Sequence, residues 1–310
     1  MMYNLSKTAK ERYESMTEYR EHYLERGREC SELTLPSLLP ETGINHTSDL
    51  YTPYQSVGAR GVNNLASKLL LLLLPPNQPF FRLSVGGKTK DEMDQQPEVK
   101  TEIEKSLGKI EREVMREIEH LAVRVPVFEA LKHLIVVGNA LVYFPKKGNM
   151  RVFPLSQYVC RRDAEANLLE LVIKETISPF TFDEETQQEI LKNKDEVEST
   201  DEVDMFTRVI LMEENKYYVC QEINGYKLPK SEGYYTKDTI PFQVLRMVRQ
   251  DNEDYGRGYV EEYLGDLKSL EGLSQSLVES AAASSKVVFM VRPNSSTKKR
   301  DLSIASNGDI

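Results

Sequence analysis

The chain has 310 residues, 40% of them hydrophobic and 29% charged, with a formal net charge of −9 and no tryptophan. That length leads us to expect about two domains, with enough apolar residues to bury a core despite the high charge. No apolar run approaches the roughly 20 residues of a membrane-spanning helix, the N-terminus lacks the apolar region of a secretory signal, and Cys30, Cys160 and Cys220 are too few and scattered for a disulfide framework; a reducing compartment is expected.

Residues 6–30 are expected to form a long polar helix, with Tyr13, Met16, Tyr19 and Tyr23 three or four apart as a thin stripe on one face. A helix this polar buries one edge, which puts it on a surface or against a neighbouring subunit. Residues 31–57, with Pro36, Pro40, Gly43 and Pro53, read as irregular. An apolar helix from about Val57 to Leu74 follows, stopped by Pro75 and Pro76. Phe80–Val85 reads as a short strand. Val99, Ile103, Leu107, Ile110, Val114, Ile118 and Leu121 are spaced 4, 4, 3, 4, 4 and 3. This is the clearest periodicity in the chain, and it predicts an amphipathic helix with one continuous apolar face. A further helix starts at Pro126, where proline fits the first turn, and ends at Gly138-Asn139.

The middle of the chain reads as β-rich. Leu141–Phe144 is a strand, Val152–Arg162 and Leu168–Thr176 form a hairpin around 163–167, Phe206–Met212 and Tyr217–Ile223 form a second around 213–216, and Phe242–Arg249 is a further strand. Helices and strands are grouped rather than alternating, so the expected class is α+β. The last large helix runs from about Tyr259 to Ser285. Its apolar face is Val260, Tyr263, Leu264, Leu267, Leu270, Leu273, Leu277 and Val278, along a length of about 40 Å. It ends in the small residues 280–285, which let another backbone approach. Val287–Val291 reads as a strand, and Asn307–Ile310 reads as a stop inside a unit.

Charge is unevenly spread. Between Asp183 and Asp204 there are ten acids and two lysines, the signature of a solvated or mobile excursion. Between Ser280 and Arg300 there are five bases, Lys286, Arg292, Lys298, Lys299 and Arg300, and no acid. Such a patch can meet phosphate, although the acidity of the whole chain argues against indiscriminate coating of nucleic acid.

Catalytic chemistry is not written in the sequence. His22, His46, His120 and His133 have no ligand spacing to one another or to cysteine, so no zinc site is expected. Gly58-Ala-Arg-Gly61 resembles the Gly-x-x-Gly loop of a KH domain but lacks the Gly-Lys-Ser/Thr of a phosphate loop; a helix start with close packing is the preferred reading. The crowded acids follow no cation-loop spacing. No nucleophile is paired with a base. We expect no catalytic residue, no metal ligand and no cofactor, and read the protein as a non-enzyme.

Three segments together carry a resemblance: Tyr51-Thr-Pro-Tyr-Gln-Ser-Val-Gly-Ala-Arg-Gly-Val-Asn-Asn-Leu-Ala-Ser-Lys68, Val127-Phe-Glu-Ala-Leu-Lys-His-Leu-Ile-Val-Val-Gly-Asn-Ala-Leu-Val-Tyr143, and Arg246-Met-Val-Arg249 with Tyr255-Gly-Arg-Gly-Tyr-Val-Glu-Glu-Tyr-Leu-Gly-Asp-Leu-Lys-Ser-Leu-Glu271. In this order they resemble the portal proteins, or head-to-tail connectors, of short-tailed (podovirus-type) bacteriophages. The resemblance implies a non-enzymatic subunit of a ring, usually a dodecamer, at one capsid vertex. Double-stranded DNA enters and leaves through its channel. The implied partners are other copies of the chain, the DNA, the terminase, a tail adaptor, and capsid and scaffolding proteins, with no membrane. The implied place is the virion, and the host cytoplasm during assembly.

By segment, the resemblance implies a wing domain over 1–257 (helical to 138, β-rich over 139–249), a first stem helix over 258–285 and the start of a clip over 286–310. Tyr263, Leu264, Leu267, Leu270 and Leu277 are then candidates for packing between subunits. Lys286, Arg292, Lys298, Lys299 and Arg300 are candidates for contact with terminase, tail or DNA. Family members are longer, and relative to them the chain lacks the rest of the clip, a second stem helix, a tunnel loop and a crown. Without that second helix, Leu264, Leu267 and Leu270 are expected to lose part of their burial. The alternative reading is a sequence-independent nucleic-acid-binding module using the basic 286–300 segment.

Overall fold

The computed structural model describes residues 7–41, 49–76, 78–85, 97–146, 148–184, 186–187, 190, 202–213 and 215–285. The long helices among them are α1 (Ala9–Glu32), α2 (Val57–Leu73), α3 (Pro97–His120), α4 (Arg124–Val137) and α5 (Leu264–Ser284). The strands are β1 (Asn139–Tyr143), β2 (Arg151–Phe153), β3 (Tyr158–Arg162), β4 (Leu168–Ile177), β5 (Val203–Glu213), β6 (Lys216–Ile223), β7 (Tyr226–Lys227), β8 (Gly233–Thr236) and β9 (Phe242–Arg246). All pairings are antiparallel. A small sheet runs β2-β1-β9, and a larger one runs β3-β4-β5-β6, with β7 and β8 both on β6. The fold is α+β.

The larger sheet is covered on both faces, and alternation along its strands shows how. Leu171 and Ile173 point into the main core with Tyr158, Cys160, Val209 and Val219. Val172 between them points the other way and packs with Val159 and Phe206 under Ala9, Tyr13 and Met16 of α1. The second half of α1 brings Leu24 and Cys30 into the main core, beside α4. Helix α1 buries one edge, as expected, and that edge lies on the larger sheet and α4 of the same chain. Its buried residues are Ala9, Tyr13, Met16, Arg20, Leu24, Gly27, Cys30 and Ser31. Tyr19, a member of the expected stripe, is exposed.

A polar helix can be buried here because the sheet beneath it is polar too. Glu170, fully buried on β4, accepts from Arg12 Nε at 3.2 Å and from Arg208 Nε at 2.9 Å. Glu222 accepts the Ala9 amide at 2.7 Å, placing a carboxylate at the positive end of the α1 dipole. Arg20 donates to the Tyr13 hydroxyl and to the carbonyls of Ser156 and Tyr158. Buried charges persist when they are paired or hydrogen-bonded in this way.

Several boundaries differ from the sequence reading. The expected strand Val152–Arg162 is broken after Pro154: β2 joins the small sheet, a 3-10 turn spans Leu155–Gln157, and β3 joins the larger sheet. Phe80–Val85 forms no strand; Leu83 donates its amide to the Glu111 carboxylate of α3 instead. The helix expected from Pro126 starts at Arg124. The long last helix opens as a 3-10 turn, Val260–Tyr263, before α5 proper. Strands β7 and β8 were not foreseen; they hold two and four residues, too short for alternation to show. Val287–Val291, Asn307–Ile310 and most of the acidic 183–204 block lie outside the described residues.

The predicted amphipathic helix forms as α3, but none of its described side chains is buried. Val99, Ile110 and Val114 are 43%, 51% and 40% exposed.

Candidate functional site

The three segments that stood out in the sequence converge at the foot of α5. The second and third are locked by glycine and asparagine. Helix α4 ends at Gly138, whose φ of 81° only glycine adopts freely, and its amide donates back to the carbonyls of His133 and Leu134. A side chain at Gly138 would run into the backbone of Arg257 and Gly258, and one at Gly258 into that of Val136. The buried Asn139 closes the joint: its Nδ2 donates to the Gly256 carbonyl and its Oδ1 accepts the Gly256 amide, both at 2.7 Å. Val248 and Arg257 pair as a bridge beside it. Next to the joint, Tyr255 is fully buried, accepts the Cys160 amide at 3.0 Å and meets the rings of Tyr23 and Tyr19 at 5.2 and 6.2 Å.

Segments one and three are joined by Glu271. Its carboxylate accepts from the Tyr51 hydroxyl at 2.6 Å, the Tyr54 amide at 2.8 Å and the Gln55 amide at 3.3 Å. Burial alone would raise its pKa; the three donors outweigh burial and hold it below the usual carboxylate value. Gln55 extends the connection, donating to the Leu33 carbonyl at the end of α1 and accepting the Gly58 amide in the first turn of α2. Gly58 is pressed against the Leu33 carbonyl, as the close-packing reading of Gly58–Gly61 expected, whereas a side chain at Gly61 would meet open space. Ion pairs Arg26–Glu261 and Lys268–Glu29, both at 2.9 Å, run from α1 to the start of α5. Such exposed pairs contribute little stability, about 0–1 kcal/mol each.

The candidate packing residues divide along α5. Leu264 and Leu267 are half-buried against the main core. Tyr263, Leu267 and Leu270 line one wall of an apolar groove of about 430 Å³, with Val57, Gly61 and Leu65 of α2 opposite. Leu277 does not join them. It is 72% exposed, and Leu273 and Val278 are exposed beside it. Lys286, Arg292, Lys298, Lys299 and Arg300 lie outside the described residues. Glu271, Tyr51, Gln55 and Asn139 were not picked out from the sequence. Glu271 did carry a signal: it follows Leu267 and Leu270 at helical spacing, so a carboxylate falls on the face otherwise read as buried.

The site offers support rather than reactive groups. Burial pushes the thiols of Cys30 and Cys160 up to about 12, away from the reactive thiolate. Burial lowers His133 to about 4. A polar cavity of about 400 Å³ between α1 and the β3–β4 hairpin holds Ser15, Tyr19, Arg162 and Asp254, with Asp254 spent on the Arg162 amide. Among the described residues no group of three His, Cys, Asp or Glu could hold a metal ion. No described helix is long and apolar enough to cross a membrane.

Comparison with known proteins covers all three segments. Residues 6–308 match the family described as bacteriophage head to tail connecting protein. The portal protein of Escherichia phage T7 is 38% identical over 308 residues, covering 97% of this chain and 57% of that protein. The portal protein of Enterobacteria phage T3 is 39% identical over 307 residues, with the same coverage, and that of Enterobacteria phage SP6 is 31% identical over 301 residues, 96% of this chain and 58% of that protein. The chain thus spans a little over half the length of these relatives. With a match running almost from end to end, and over all three converging segments, the chain belongs to the bacteriophage head-to-tail connecting protein family.

Proposed function

We propose that the chain is the N-terminal part of a portal subunit, one copy in a ring at a capsid vertex through which double-stranded DNA passes during packaging and ejection. The observation that carries the reading is the match to phage portal proteins along nearly the whole chain. The build of α5 supports it: the helix is rooted firmly at its foot and leaves Leu273, Leu277 and Val278 bare beyond it, as expected of a helix completed by neighbours. On this reading residues 1–257 are the wing, 258–285 the first stem helix along the channel, and 286–310 the start of the clip. Lys286, Arg292, Lys298, Lys299 and Arg300 then face the terminase or tail adaptor, and capsid and scaffolding proteins meet the wing. The subunit has no catalysis of its own. DNA that must slide is held by few phosphate contacts, which keeps the salt-sensitive part of binding small.

The test is native mass spectrometry and electron microscopy of the chain, alone and within a polypeptide of the relatives' length. Closed rings from the longer polypeptide are expected. Monomers from both would overturn the reading.

A further inference from the structure

Glu271 is the one buried residue among those described for α5, and it is a carboxylate. Only 7% of it is exposed, yet among the described residues no lysine or arginine is paired with it. Its three donors all come from one short strap, Tyr51–Gln55. The strap is in turn fixed to the end of α1 and the first turn of α2 through Gln55. Past Glu271 the helix continues over residues 272–284, about 20 Å, with none of their side chains buried. A small change of angle at Glu271 is therefore enlarged towards Ser284.

We propose that Glu271 is a clasp that sets where α5 stands and couples it to the strap, so that whatever displaces the strap swings the helix. The surface end of the strap is accessible: Tyr51 and Tyr54 are both exposed, as is Val57 after them. The functional consequence rests on the portal reading, in which α5 borders the channel: a contact made on the outer surface of the subunit is then felt at the channel wall. The clasp itself does not rest on it.

The experiment is hydrogen exchange by mass spectrometry on the chain, following peptides over 49–58, 264–276 and 203–223, with native mass spectrometry on the same samples. Glu271→Ala leaves two amides without their acceptor, and is expected to speed exchange about tenfold or more in both 49–58 and 264–276, leaving 203–223 unchanged. Tyr51→Phe removes one donor at an exposed position and is expected to give a smaller rise in the same two peptides. It keeps the test valid if Glu271→Ala does not fold. A rise confined to 49–58, or no rise in either peptide, overturns the clasp. Monomers from the longer polypeptide in the ring test above, with both rises present in the chain, would overturn the portal reading and leave the clasp standing.

Discussion

Helices α1 and α3 have the same length, 24 residues, and opposite fates. Helix α1 has a thin apolar stripe and is built into the body. Helix α3 has the cleanest apolar stripe in the chain and no buried described side chain. The difference lies in what faces them. Under α1 the larger sheet presents Glu170, Arg208 and Glu222, which match Arg12 and the free amide of Ala9. No described element supplies an equivalent surface along α3. Periodicity identifies a face; a partner decides whether it is covered.

The largest effect that would break this comparison lies beneath α1. Glu170→Ala strands Arg208, which is 2% exposed, as an unpaired buried charge, and should destabilise the chain by about 3–5 kcal/mol in urea unfolding. A change of under 1 kcal/mol would mean that the charges, not the packing, are dispensable. Next is the packing itself. Leu24→Ala on α1 should lower stability by about 2–5 kcal/mol. Ile110→Ser on α3 should change it by no more than about 0.5 kcal/mol in the unassembled chain. Equal losses at the two sites would show that α3 is covered after all.

A third test is pH. His133 on α4 has its pKa lowered from 6.5 to about 4 by burial and then by Lys132. The unfolded chain takes up this proton first, so stability is full above about pH 6.5 and falls as pH drops towards 4. At the lower end the loss should reach a few kcal/mol, and His133→Phe should flatten the melting temperature between pH 7 and 5. Glu271, also lowered, adds a loss of the same sign below its ordinary range. The smallest expected effect is chemical. Cys30, Cys160 and Cys220 are buried, with pKa values raised chiefly by that burial, so a thiol reagent at pH 8 should label them only after denaturant is added. Rapid labelling of Cys30 in the native chain would show that the second half of α1 opens.

Much of the fold is legible in local spacing. The helices that became α1, α2, α3 and α4 and the two hairpins around 163–167 and 213–216 fall close to their expected places, because each is stabilised by contacts a few residues apart. The misses are of another kind. Strand β2 was joined to β3 because Pro154 does not tell which of two sheets each flank enters. Phe80–Val85 has the residues of a strand but no strand beside it.

For the site, the sequence pointed to the segments that meet but not to the residues that join them. It picked out Tyr51–Lys68, Val127–Tyr143 and Tyr255–Glu271 as blocks, and they meet. It favoured the leucines of α5 and the basic residues beyond them, whereas Asn139, Gly138, Gly256 and Glu271 make the joint. Asn139 and Glu271 act on backbone groups 117 to 217 positions away, and nothing in their own neighbourhood announces it.

By itself, then, the sequence determined the α+β class, the positions of the long helices and the absence of a readable catalytic motif, since each follows from composition or from spacing within one segment; the likeness to phage connectors came from three segments resembling that family in order. The tertiary structure alone decided which helix faces are covered, that α1 is a core element and α3 is not, and that the single buried residue described on α5 is a carboxylate. Burial is a relation between surfaces brought together from distant parts of the chain, and an amphipathic pattern carries only one side of it.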